Sequence, residues 1–91
     1  MRFALLALFL LATQAAGQPR CHTTSIVEPQ PFLGTANEVI VLADGSVWKD
    51  VSYKYLYLYA YFPAVVICPL VGKMFLGEGE DRIEFTLVRL R

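Results

Sequence analysis

All five tyrosines of the 91-residue chain stand at alternate positions, Tyr53, Tyr55, Tyr57, Tyr59 and Tyr61. A spacing of two gathers residues on one face of a strand and scatters them around a helix. The stretch therefore reads as a β-strand. One face carries the tyrosines, the other Lys54, Leu56, Leu58, Ala60 and Phe62. A buried phenol needs a hydrogen-bond partner, and the interior of a small barrel cannot satisfy five of them. The Leu/Ala/Phe face makes no such demand. The tyrosine face is expected to point outward, its rings repeating every ~6.7 Å.

The flanking sequence is also written in short apolar runs. Val39-Ile40-Val41-Leu42 is followed by Asp44-Gly45, a pair suited to a two-residue type I′ hairpin turn. Ser46 to Val51 resumes with Val47 and Val51 on one side and Trp48 and Asp50 on the other. Pro63 ends the tyrosine run, and Ala64 to Cys68 is a further β-branched run. Pro69 and Gly72 break the chain again before a short strand from Lys73 to Leu76 and a turn at Gly77-Glu78-Gly79-Glu80. Between Arg82 and Leu90, Ile83, Phe85 and Leu87 alternate with Glu84 and Thr86. No window after residue 17 places apolar residues at i, i+3 and i+4 over a helical length. The expected fold class is all-β: a small antiparallel barrel, SH3-like or OB-like, of five to seven short strands within residues 38–91. Closure also removes the exposed edges that such apolar strands would present. Residues 18–37 read as an N-terminal arm and loop. Thr23 to Val27 has strand character, Glu28-Pro29-Gln30-Pro31 interrupts it, and Phe32-Leu33 tucks against the core.

Residues 1–17 read as a signal peptide. Met1-Arg2 precedes an uncharged apolar run from Phe3 to Ala12, and Ala15 and Gly17 fall at positions −3 and −1 of a cut. The run is shorter than the ~20 residues of a membrane span, and its removal leaves roughly 74 residues, one domain with a small core. The expected location is outside the cytoplasm, in the periplasm or the extracellular space. Cys21 and Cys68 are the two cysteines, and in an oxidising compartment they read as one disulfide. Closing that loop is worth roughly 4 kcal/mol in the chain-entropy model. A lipid anchor, an intermolecular bridge and a redox pair are the alternatives. Pro19-Arg20 lacks the small residues a lipoprotein cleavage needs, and the CxxC spacing of redox catalysts is absent.

Eight basic residues balance eight acidic ones, and no Lys/Arg cluster is present. That argues against nucleic acid and against anionic lipid as partners. His22 is the sole histidine, with no nucleophile framed around it. Glu78, Glu80, Asp81 and Glu84 surround Gly77 and Gly79 without the spacing of a calcium loop, and read as a solvated turn. No catalytic, cofactor-binding or metal-binding residue is assigned, and an enzyme is not expected. What remains is the tyrosine row. Exposed, it forms an amphipathic patch larger than a monomer ordinarily shows, made of a residue suited to recognition. Its structural alternative is a cross-strand ladder covering neighbouring strands. The candidate ligand-binding set is Tyr53, Tyr55, Tyr57, Tyr59 and Tyr61 with Trp48. The functional expectation is an exported, non-enzymatic binding module that engages a protein or a cell-envelope polymer. Two alternatives stand beside it. One is an inhibitor or immunity protein whose Gly77–Asp81 loop enters the cleft of a secreted enzyme. The other is a structural homo-oligomer packed through the tyrosine faces.

Over residues 38–76, Ala43-Asp44-Gly45-Ser46-Val47-Trp48, the tyrosine run, Val65-Val66-Ile67-Cys68-Pro69 and Gly72-Lys73 together resemble small exported bacterial all-β proteins of uncharacterised function. The resemblance implies the same fold class and carries over no catalytic residues.

Overall fold

Among the described residues, six short strands account for most of the apolar runs. They are β1 (His22–Glu28), β2 (Val39–Leu42), β3 (Val47–Asp50), β4 (Ala64–Cys68), β5 (Lys73–Leu76) and β6 (Ile83–Arg89). The computed structural model describes residues 20–91, so the expected signal peptide lies outside the described residues. All neighbouring strands are antiparallel, and the order β1-β2-β3-β6-β5-β4 closes on itself as a barrel. The fold is thus the small all-β antiparallel barrel expected from the breaker spacing.

Alternation decides what fills it. In β4, Val65 and Ile67 are buried while Val66 faces out. In β6, Phe85 and Leu87 are buried between more open neighbours. The core consists of Ile26, Ile40, Leu42, Trp48, Val65, Ile67, Met74, Phe85 and Leu87, with Phe32 from the β1–β2 connection. The Phe32 ring meets Phe85 edge-on, centroids 5.5 Å apart, a geometry the ring quadrupoles favour.

Three expectations are corrected. First, the barrel begins at His22 and not at residue 38. β1 pairs with β2 on one side and β4 on the other, so residues 22–28 of the presumed arm are a wall of the barrel. The ladder His22↔Ile67 sets Cys21 beside Cys68, and the two are joined by a disulfide. Second, the β2–β3 turn is longer than two residues. Val41 pairs with Val47, and the Leu42 N–H donates to the Ser46 carbonyl, leaving Ala43, Asp44 and Gly45 as the loop. Gly45 alone of the three has positive φ, +90°, as in the three-residue hairpins that place one left-handed residue before the returning strand. Third, the tyrosine run is not a strand, and the barrel order explains why.

β3 and β4 are consecutive in sequence but stand opposite each other in the ring. Residues 51–63 must therefore cross one end of the barrel. Thirteen extended residues would reach ~43 Å, whereas facing walls of a small β core are on the order of 10 Å apart. The connection has far more chain than the crossing needs, and the surplus is taken up as local turns. The β1–β2 and β5–β6 connections lie at the same end, since antiparallel order brings together the ends of β1, β3 and β5 and the starts of β2, β4 and β6. The hairpin turn, the disulfide and both described chain ends lie at the other.

Candidate functional site

The crossing segment is a strap laid against residues 32–35. Leu56 N–H donates to the Gly34 carbonyl (3.1 Å), Leu58 N–H to Leu33 (2.9 Å) and Ala60 N–H to Phe32 (3.0 Å). The strap advances two residues for each residue of its neighbour. That is a β-bulge repeated at every step, and one residue of each pair must leave the extended conformation. The residues that leave it are aromatic: φ is +60° at Tyr53, +54° at Tyr57, +53° at Tyr59 and +47° at Phe62. Bulky side chains rarely occupy this region. Along its neighbour the strap therefore advances about half as far per residue as a regular strand.

Each end of the strap is anchored. Asp50, fully buried, accepts the Ser52 N–H through Oδ1 (2.8 Å), while its Oδ2 has no partner among the described residues. The Ser52 hydroxyl accepts the Thr86 N–H (2.7 Å). Lys54 Nζ donates to the Glu84 carbonyl. At the far end, Gln30 Oε1 accepts the Phe62 N–H (3.0 Å). The neighbouring stretch is fixed in turn by Glu38, whose carboxylate accepts the N–H groups of Leu33, Gly34 and Thr35 at 2.9 to 3.1 Å. Leu58 points down and packs on the core. Gly34 (φ +75°) lies beneath it, with space so tight that a Cβ there would stand 3.2 Å from Leu58 Cδ1.

All five tyrosine rings stand in solvent, between 55% and 69% exposed. Phe62, placed by its spacing on the opposite face with Leu56 and Leu58, joins them on the surface. Its left-handed backbone turns it outward, which a period-two pattern cannot foresee. Trp48 does not belong to the row. It is 2% exposed, its indole N–H donates to Ser46 Oγ at 2.9 Å, and the Arg89 guanidinium lies 5.4 Å from its ring centroid. The Trp48/Asp50 face of β3 points inward, so the tryptophan expected beside the tyrosines fills the core instead. Sequence reasoning missed Glu38, Gly34, Gln30 and Ser52, which build the strap's seat. Their roles are set by the tertiary path of the strap, which residue types alone do not disclose.

Elsewhere, an open groove of about 370 Å³ runs along β4 and β5 over Thr23, Ala64, Val66 and Phe75, with Glu78 at its rim. Arg82 lies 4.4 Å over the Phe75 ring. The loop between β5 and β6 carries a 3-10 turn, Gly79–Asp81, with Glu78, Glu80 and Asp81 exposed. His22 stands 3.7 Å from Asp44 on the surface. The Ser46 hydroxyl and then the Ser46 N–H, both donating to Asp44 Oδ1, lower the Asp44 pKa, with the His22 charge adding to them.

Among the described residues no helix is long and apolar enough to cross a membrane. Compared with protein-family models, with curated proteins and with solved structures, the chain matches none.

Proposed function

We propose that the protein is an exported, non-enzymatic binding module that engages a protein or a cell-envelope polymer through Tyr53, Tyr55, Tyr57, Tyr59 and Tyr61, with Phe62 extending the row. One observation carries the reading: the tyrosine rings face solvent although three of them sit on left-handed backbone. Each such residue costs roughly 1–2 kcal/mol, and strain of this kind concentrates where side chains are displayed for a task. Rings held by a bonded strap lose little freedom on binding. The disulfide suits an oxidising compartment, in line with the periplasm or the extracellular space. The sole histidine is spent on a surface pair with Asp44, and both thiols are oxidised.

The triple variant Tyr55→Ala/Tyr57→Ala/Tyr59→Ala tests the reading. It is expected to keep its fold and to lose retention on immobilised envelope polymer or on a captured partner. Loss of folding with the partner still bound would make the row structural.

A second reading has its own observation, the acidic β5–β6 turn displayed beside an open groove. As an inhibitor, the protein would insert Glu78 and Glu80 into a secreted enzyme. Reversing both charges would then abolish inhibition, and unchanged inhibition removes the turn from consideration.

A further inference from the structure

We infer that the partner of the tyrosine row is a second copy of this chain, docked antiparallel about a two-fold axis through Tyr57. The inference rests on the reading of the row as a binding surface and names its occupant.

The repeat of the row selects the partner. Leu56, Leu58 and Ala60 engage the successive carbonyls of Gly34, Leu33 and Phe32, so the strap carries its tyrosines on a backbone that advances more slowly than any regular strand. A partner in ordinary extended conformation repeats its side chains every ~6.7 Å. It falls out of step with the strap's slower advance within a ring or two. A second copy has the same repeat by construction and stays in step along the whole row.

The pattern is also self-complementary, as a two-fold interface requires. With Tyr57 on the axis, Tyr55 lies opposite Tyr59 of the second copy and Tyr53 opposite its Tyr61. Leu56 falls opposite Leu58 of the second copy in the same way. The one charged residue of the segment, Lys54, falls opposite Ala60 and not opposite itself, and it is already held on the Glu84 carbonyl. No like charges meet.

Area and backbone agree. Five tyrosines and Phe62 at these exposures present roughly 750 Å², close to the ~800 Å² per partner of a standard stable interface. Among the described residues, none of the five tyrosine N–H groups donates to another protein group. The strap therefore has a free edge, whereas every strand of the closed barrel is paired on both sides.

Light scattering or sedimentation of the purified protein across a concentration range tests this. The mass is expected to rise from one chain to two and stop there, because a two-fold interface closes. Two variants make the register explicit: Tyr55→Lys/Tyr59→Lys and Tyr55→Glu/Tyr59→Glu. Each alone sets like charges opposite one another and is expected to be monomeric, and mixing the two should restore a dimer. Far-ultraviolet circular dichroism confirms folding. If either double variant fails to fold, Tyr57→Glu, which places like charges on the axis, should give a folded monomer. A wild-type protein that remains monomeric throughout, one that grows beyond two chains, or a mixture that does not associate overturns the inference. If the monomeric protein nonetheless binds an envelope polymer and loses it in the triple alanine variant, the row stands as a binding surface and only its occupant is wrong. If neither occurs, both readings fall.

Discussion

At the scale of single residues the informative conflict is between side chain and backbone at Tyr57 and Tyr59. Tyrosine favours the extended region, yet φ is +54° and +53° at these positions, and their rings bury little to offset the cost. Glycine adopts this region freely. Tyr57→Gly and Tyr59→Gly should each remove a penalty of roughly 1–2 kcal/mol, offset by ~0.5–1 kcal/mol from the freer unfolded chain. Each variant is therefore expected to match or exceed the wild-type stability by up to ~1.5 kcal/mol, read from the urea midpoint, while association through the row weakens. A loss of more than ~1 kcal/mol would show that the rings hold the fold together. Trp48 is the contrasting residue. By type it looks as fit for a surface site as the tyrosines, and only the position of Ser46, which accepts its N–H inside the barrel, marks it as core. Such a partner is set by the hairpin's geometry, which residue types alone do not disclose.

At the scale of elements, legibility follows from where each conformation is decided. β2, β3, β4, β5 and β6 were legible because period-two alternation and the breakers Pro63, Pro69 and Gly72 are local signals. The strap was not. Its sequence alternates as well as any strand, but β3 and β4 stand on opposite walls, and that ring order is a property of the whole barrel. β1 was half legible: Thr23 to Val27 had strand character and the Cys21–Cys68 bridge placed it beside the strand ending at Cys68, while its pairing with β2 carried no local signal. The strap's seat can be tested at Gly34. Gly34→Ala adds a Cβ at φ +75°, 3.2 Å from Leu58 Cδ1. The expected cost is ~1–2 kcal/mol from the left-handed backbone alone, together with faster hydrogen exchange at Leu56, Leu58 and Ala60. Unchanged protection at those amides would mean that the strap does not depend on this contact. The β2–β3 hairpin carries a pH dependence of defined sign. Asp44 is held below its ordinary value of 3.8 by the Ser46 hydroxyl and N–H, and Glu84 below 4.5 by Lys73, whose Nζ lies 3.0 Å away. A carboxyl with a depressed folded pKa stabilises the fold above its unfolded value, and that contribution is lost as pH falls through the folded one. Stability should be level above about pH 5 and decline below about pH 4, and Asp44→Asn should flatten part of the decline in a series of urea midpoints. Asp44 and Glu84 are both at the surface, so the effect is small and salt-sensitive.

At the scale of the whole molecule the question is what keeps a six-stranded barrel of this size closed. One seam is β1 against β4, where four residue pairs run from His22↔Ile67 to Ser25↔Ala64. The disulfide lies at the open end of that seam, one step beyond His22↔Ile67. It does two things. It ties the first strand to the ladder it must complete, and it removes from the unfolded chain the freedom of a loop spanning a separation of 47 residues. The second effect is worth about 4 kcal/mol in the chain-entropy model, a large part of the 5–15 kcal/mol available to an ordinary domain. Cys21→Ala/Cys68→Ala should therefore lower Tm by roughly 15–30 °C, at ~4–8 °C per kcal/mol for a domain of this size. The same loss is expected on adding reductant to the wild-type protein, and exchange should quicken first at His22 to Ser25 and their partners Ala64 to Ile67. The strap supplies an internal control, because it is fastened at the opposite end of the barrel through Ser52, Lys54 and Gln30. Its amides should stay protected at temperatures where the seam has already opened. A double variant within ~1 kcal/mol of the wild type would place the burden of closure on the β1–β2 and β1–β4 ladders alone. Since any association through the row draws on folded protein only, the Tm of both forms should also rise with protein concentration, and measurement at matched concentrations separates the contribution of the bridge from that of the interface.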